Sequence, residues 1–187
     1  MGRRAWCRSG EGTTALLTTD DPSGSDDLAG LIALANAVRA LMVERSRTLA
    51  TAESCTGGLI GHVLTEVPGS SAYYLGGLIS YSDSLKTAEL GVDEATLERH
   101  GAVSAQACVA MAEGARKRYG ATLAVAVTGI AGPDGGSAAK PVGLTYVAVA
   151  DENGHDVRRH AWTADRHGNK ILSAEAALSL LLERLGS

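Results

Sequence analysis

The chain has 187 residues, a formal net charge of −4, 45% hydrophobic residues, 4% aromatic residues and no phenylalanine. That length suits a single domain with a real core, which must be built from Val, Ile, Leu and Ala. The acidic balance excludes a chain-wide basic nucleic-acid footprint, and no apolar run is long enough to span a membrane.

Residues 1–25 are rich in Gly, Ser, Thr and Asp without a sustained period, which predicts a weakly ordered tail ahead of one domain over residues 26–187. The early arginines precede no apolar segment of the signal-peptide kind, so the expected location is the cytoplasm. Residues 28–43 space apolar side chains for a helix, with Asp26 or Asp27 as its cap. Residues 47–53 ("RTLATAE") read as a short buried strand, and "TGGLIGHVLTEV" after it as a helix. "LGGLISYS" at 75–82 reads as a second strand. "DSLKTAELG" and "DEATLERHG" read as short helices, each closed by a glycine. "SAQACVAMAEGARKRYG" is a helix capped by Ser104 and stopped by Gly120, with Cys108, Met111 and Ala115 on one face.

"ATLAVAVTG" at 121–129 is a strongly apolar strand that runs into a glycine-rich loop. "VGLTYVAVAD" and "HDVRRHAWTA" alternate as an antiparallel pair, and "NKILSAEAALSLLLERL" closes the chain as a helix. Strands alternating with helices, then a hairpin, predict an α/β fold with a mixed sheet and helices on both faces.

Three segments carry candidate chemistry. Ser54 lies where a buried strand turns into a helix, a position at which open α/β sheets form sites. The helix start offers N–H groups and a positive dipole end to an oxyanion or phosphate, and Gly57 and Gly58 admit close approach of a ligand. The competing reading makes Ser54 or Thr56 a helix cap and the glycines a tight turn. Cys55 is a rival nucleophile with His62 or His100 as its base, or else a small buried thiol.

After the second strand come Tyr81, Ser82 and Lys86. A neutral lysine can activate a serine. An ordinary lysine is protonated at neutral pH, and lowering its pKa by roughly three units costs about 4 kcal/mol, so the side chain must be poorly solvated. Asp83 opposes this by favouring the charged form, and a solvated helix lysine is the alternative. Tyr81 either positions a substrate or packs in the core. In the loop after the third strand, Thr128, Gly129, Ala131 and Gly132 offer a hydroxyl and N–H groups to an anion, with Lys140 as an added charge, or else form a long structural turn. Arg166 and Lys170 in "DRHGNK" either contact an anion or start a solvated helix. The cysteines Cys7, Cys55 and Cys108 show no zinc spacing, and the histidines no HExxH pattern, so no metal and no cofactor is expected.

Taken together, "TAESCTGG", "VPGSSAYYLGGLISYSDSLK", "LGV", "HGAVS", "MAEGAR", "AVAVTGIAGPDGGS" and "KPVG" resemble, in that order, the CinA C-terminal domain or nicotinamide-nucleotide amidohydrolase family, over roughly residues 30–185. The resemblance implies a three-layer α/β/α sandwich that self-associates, a dimer foremost. It implies hydrolysis of the carboxamide of nicotinamide mononucleotide to nicotinic acid mononucleotide and ammonia, in pyridine nucleotide salvage. The family's serine, lysine and tyrosine fall on Ser54, Lys86 and Tyr81. Backbone N–H groups near Cys55 and Thr56 are then expected at the oxyanion, and the glycine-rich segments and Arg166 at the phosphate. Two departures stand out: Asp83 where relatives often carry Asn, and "ADRHGNK" at the last helix. The large N-terminal domain of some relatives, linked to molybdopterin-like binding and pyrophosphatase activity, has no counterpart here, so that activity is not expected. Two other functions remain: a non-catalytic binding or regulatory module, and an amidohydrolase for another small amide. Neither nucleic acid nor membrane is an expected partner.

Overall fold

The computed structural model describes residues 23–186, with side chains from Leu28 onward. The expected tail lies outside these residues except for its last three, which already belong to the first helix. That helix, α1 (Ser23–Glu44), starts earlier than its apolar spacing suggests, so Asp26 and Asp27 sit within it rather than ahead of it. The order continues β1 (Leu49–Glu53), α2 (Leu59–Glu66), a 3-10 turn at Ser70–Ala72, β2 (Tyr74–Ile79), α3 (Asp83–Leu90), α4 (Glu94–His100) and α5 (Ala105–Tyr119). β3 (Leu123–Gly129), β4 (Leu144–Asp151), β5 (Gly154–Ala161) and α6 (Arg166–Gly186) complete it.

The strands form one open mixed sheet in the order β2-β1-β3-β4-β5. β1 pairs in parallel with both β2 and β3, and the β3–β4 and β4–β5 pairs are antiparallel. From β1 the chain crosses to β2 on one side, then back past β1 to β3. With right-handed crossovers these opposite steps put the connecting helices on opposite faces: α2, with α1 and α6, covers one, and α5 with α3 the other. The carboxyl ends of β1, β2 and β3 therefore meet where the winding reverses, the place at which such sheets form their crevices.

Strand alternation sorts the core by size. Leu49, Leu123, Val125, Val127, Val147 and Val149 face α1, α2 and α6. Their neighbours Ala50, Ala52, Ala124, Ala126, Ala148 and Ala150 face the α5 side. Small side chains let that layer sit close. At the α3–α5 contact a Cβ on Gly114 would lie 1.9 Å from the Leu90 carbonyl oxygen, so no larger residue fits. The helix ends follow the sequence signals: Ser104 Oγ accepts from Ala107 N at 3.2 Å, and Gly91 and Gly120 adopt left-handed conformations with φ of 65° and 62°. Among the described residues no helix is long and apolar enough to cross a membrane.

The end of α6 is tied to the sheet by charge. Arg184 donates to both oxygens of Asp151, at 3.0 Å from Nε and 2.6 Å from Nη2, and to Asp156 at 2.9 Å. These hydrogen bonds hold the Asp151 carboxyl below the ordinary carboxylate range, against the opposing effect of burial. The stabilisation is present above the unfolded carboxylate pKa of about 3.9 and is lost progressively as pH falls from there through the lower folded value. Asp151→Asn is expected to cost about 2–3 kcal/mol at pH 7, less than splitting a completely buried pair because Arg184 keeps some contact with water. Urea unfolding at pH 7 and pH 3 checks this, and the gap between variant and wild type should narrow at the lower pH.

Candidate functional site

β1 is buried along its whole length. Ser54 extends its pairing with β3 by one bond, donating from its N–H to Val127 O at 3.1 Å. Its side chain is 8% exposed and lines a cleft of about 250 Å³ at the carboxyl ends of the parallel strands. The chain does not enter α2 at once. Gly57 and Gly58 take φ of 66° and 98°, which a right-handed helix excludes, so the helix begins at Leu59 rather than Thr56.

Neither Ser54 nor Thr56 caps α2. The cap is Glu53, the last residue of β1 and only 2% exposed. Its Oε2 accepts from Thr56 Oγ1 at 2.7 Å, Gly58 N at 3.0 Å and Ile60 N at 3.1 Å, and its Oε1 accepts from Gly61 N at 2.8 Å. The positive end of α2 is thereby occupied by an internal carboxylate and is not open to a substrate phosphate. Sequence reading assigned Glu53 no role. The signal was present: an acid at the end of an apolar buried strand needs several donors, and a helix start follows it.

Lys86, on the first turns of α3, is 1% exposed and lines the same cleft. Its ammonium donates to Ser80 O at 2.9 Å, Asp83 Oδ1 at 3.4 Å and Tyr81 O at 3.5 Å, one acceptor for each proton. The expected closeness of Asp83 is therefore found. Ser80, a second residue that sequence reading passed over, links the two halves of the site. Its N–H donates to the Glu53 carbonyl at 2.8 Å, while its own carbonyl receives Lys86. Ser82, also noted in the sequence, caps α3 by accepting from Leu85 N. Tyr81 is 61% exposed, so the core reading fails, and its hydroxyl accepts from Arg166 Nη2 at 3.3 Å.

The glycine-rich loop is held from α6. Arg166 Nη1 donates to the Gly132 carbonyl, and buried Asn169 donates from Nδ2 to Ala131 O at 3.0 Å. Thr128 donates its hydroxyl to Ala102 O at 2.9 Å, leaving its lone pairs toward other donors. Lys140 does not line the cleft; it reaches the His100 carbonyl at 2.6 Å. Lys170 also stays off the lining, where a Cβ on Gly57 would stand 3.7 Å from its Nζ.

Cys55 lines the cleft with its thiol against Gly129, but burial pushes that thiol up to about 12, with the Glu53 charge adding to the effect. His62 pairs with Glu66 and, like His100, is absent from the lining, so neither base proposed for Cys55 stands beside it. Iodoacetamide at pH 8.5 is expected to modify Cys55 about 10³-fold more slowly in the native protein than a free thiol. Peptide mass spectrometry checks this, and alkylation at the free-thiol rate would contradict it.

The cleft thus gathers Ser54, Cys55, Tyr81, Lys86, Thr128, Gly129, Ala131, Gly132 and Arg166 from four separate segments. Thr56, Gly57 and Gly58 stay outside it, because they build the turn behind Ser54. Asp83 and Asp134 complete its charged groups. Among the described residues no cluster of three or more His, Cys, Asp or Glu side chains stands where it could hold a metal ion.

An open α/β sheet with a small polar cleft at its switch point defines a class of proteins whose chemistry lies at the strand ends. The chain belongs to the CinA C-terminal domain family, whose model matches residues 31–185. It is 51% identical over 159 residues to a CinA-like protein of Salinibacter ruber, covering 85% of this chain and 38% of that protein. It is 45% identical over 146 residues to a putative competence-damage inducible protein of Moorella thermoacetica, covering 78% of this chain and 35% of the relative. The chain thus spans well under half the length of either. The crystal structure of the competence/damage inducible protein CihA from Agrobacterium tumefaciens superposes with a TM-score of 0.82 at 41% identity, covering 84% of this chain and 96% of that one.

Proposed function

We propose that the protein hydrolyses the carboxamide of nicotinamide mononucleotide to nicotinic acid mononucleotide and ammonia, with Ser54 as nucleophile and Lys86 as base. The observation that carries this reading is the single cleft that brings a near-buried serine, a buried lysine and an arginine to the ends of three parallel strands. Lys86 in its neutral form takes the Ser54 proton as Oγ attacks the amide carbon. The backbone N–H of Cys55, the residue after Ser54 on the cleft wall, receives the oxyanion. Lys86 returns its proton to the departing ammonia, and water then hydrolyses the ester to the free carboxylate and Ser54. Arg166, fastened to the loop and to Tyr81, meets the phosphate with its remaining N–H groups. The reading extends to a cytoplasmic, self-associating enzyme of pyridine nucleotide salvage that uses no cofactor.

The test is ammonia release by the purified protein from nicotinamide mononucleotide and from nicotinamide riboside. Turnover of the nucleotide is expected, with kcat/KM for the riboside about 100-fold lower, the order of one charge-assisted contact. Equal use of both would leave an amidohydrolase for another small amide. A folded protein that releases no ammonia from either would move it to the binding or regulatory class, which the full engagement of Lys86 by carbonyls and Asp83 in this structure also suits.

A further inference from the structure

We propose that Glu53 is a positioning residue for this hydrolysis, holding the turn at residues 54–58 so that the Cys55 amide stays aimed at the oxyanion; the inference rests on the reading given above. The mechanism leaves Glu53 unused, yet it is the most heavily bonded acid near the cleft. It is 2% exposed, and its two oxygens accept four hydrogen bonds, all from residues 56–61. A carboxylate in such a place is costly unless every lone-pair direction is used. Here the donors are the Thr56 hydroxyl, the N–H of Gly58 and two of the orphan amides of α2.

Two consequences follow from this arrangement. Thr56 is tied inward through its hydroxyl, which orients the peptide joining it to Cys55. The Ile60 and Gly61 amides at the start of α2 are consumed by Glu53, so they are not available to the substrate, and the oxyanion falls to the Cys55 N–H directly after Ser54. Glu53 also fixes the other side of the site through its main chain, since its carbonyl accepts from Ser80, whose carbonyl in turn receives Lys86. The side chain holds the turn that carries the oxyanion donor while the backbone of the same residue sets the lysine. Glu53 touches no reacting atom in this scheme and acts only through its neighbours.

The experiment compares wild type, Glu53→Ala and Glu53→Gln. Three quantities are read: kcat and KM for ammonia release from nicotinamide mononucleotide, the rate at which a fluorophosphonate probe labels Ser54, and amide hydrogen exchange over residues 54–61. Glu53→Ala is expected to lower kcat about 10²–10³-fold, the range for losing oxyanion donors, with KM within about threefold. Probe labelling should slow in parallel, and exchange at Gly58, Ile60 and Gly61 should rise. Glu53→Gln keeps one oxygen for Thr56, Gly58 and Ile60 but sets an amide N–H against that of Gly61, and it is expected to recover at least about tenfold of the loss. A merely structural role would lower the melting temperature without a kcat-specific loss. Unchanged kcat in a folded Glu53→Ala protein, a loss confined to KM, or a Gln variant no better than Ala would overturn the proposal. If Glu53→Ala does not fold, Glu53→Gln decides: the proposal needs slower probe labelling together with raised exchange at Gly61, and wild-type values for both overturn it. Wild type that takes the probe but releases no ammonia removes the substrate reading alone, and the labelling rates still decide Glu53. Wild type that does neither removes both.

Discussion

Ser54→Ala is expected to lower kcat for ammonia release by about 10⁴-fold or more, the scale on which serine hydrolases lose activity with their nucleophile. The variant should remain folded. Among the described residues no hydrogen bond holds Ser54 Oγ, and its N–H, which pairs with Val127, is untouched by the change. Removing the hydroxyl therefore orphans no partner, and a melting temperature within a few degrees of wild type is expected. Activity within tenfold of wild type would sink Ser54 as nucleophile. The slow alkylation expected of Cys55 makes that residue a poor substitute, since its thiol is buried and held protonated.

Lys86→Ala should cost about 10³-fold or more in kcat, but its effect on stability is a balance. The substitution removes a buried ammonium, which relieves a desolvation penalty. It also leaves the Ser80 carbonyl without its donor and opens space under the cleft. The expected net loss is about 1–2 kcal/mol by these opposing terms. Chemical rescue separates the base from a structural post. A small primary amine such as ethylamine, added to Lys86→Ala, should restore part of the lost rate by occupying the vacated space. Full stability with no rescue by any amine would argue that Lys86 serves the site only through its charge or its packing.

Local chemistry was the most legible part of the sequence. Gly91 and Gly120 stop their helices because a left-handed residue suits them, and Ser104 caps α5 because its hydroxyl reaches a nearby N–H. The start of α2 was not legible, because its cap comes from Glu53 at the end of the preceding strand rather than from the hydroxyl residues beside the glycines. The site divides in the same way. Ser54, Lys86, Tyr81 and the 128–132 loop stood out by residue type and by place after strands, but their meeting in one cleft depends on the order β2-β1-β3. Spacing along the chain carries no such information. The bond between Arg166 and Tyr81 spans 85 positions, and Ser80 reads as an ordinary strand-end residue until the Lys86 ammonium is seen on its carbonyl.

The separation of Ser54 from Lys86 is not set by side-chain packing alone. It is handed across the pairing of β1 with β2, which ends with Glu53 opposite Ile79 and is continued by the Ser80-to-Glu53 bond. β2 is the outermost strand on that side of the sheet. Outer strands, with one neighbour instead of two, are among the first parts of a fold to open. The working distance is thus entrusted to one of the two edge strands, while the central strands β1, β3 and β4 can stay paired. On warming or in mild denaturant this protein should fall silent before it comes apart, and its activity would act as a gauge of one strand's departure.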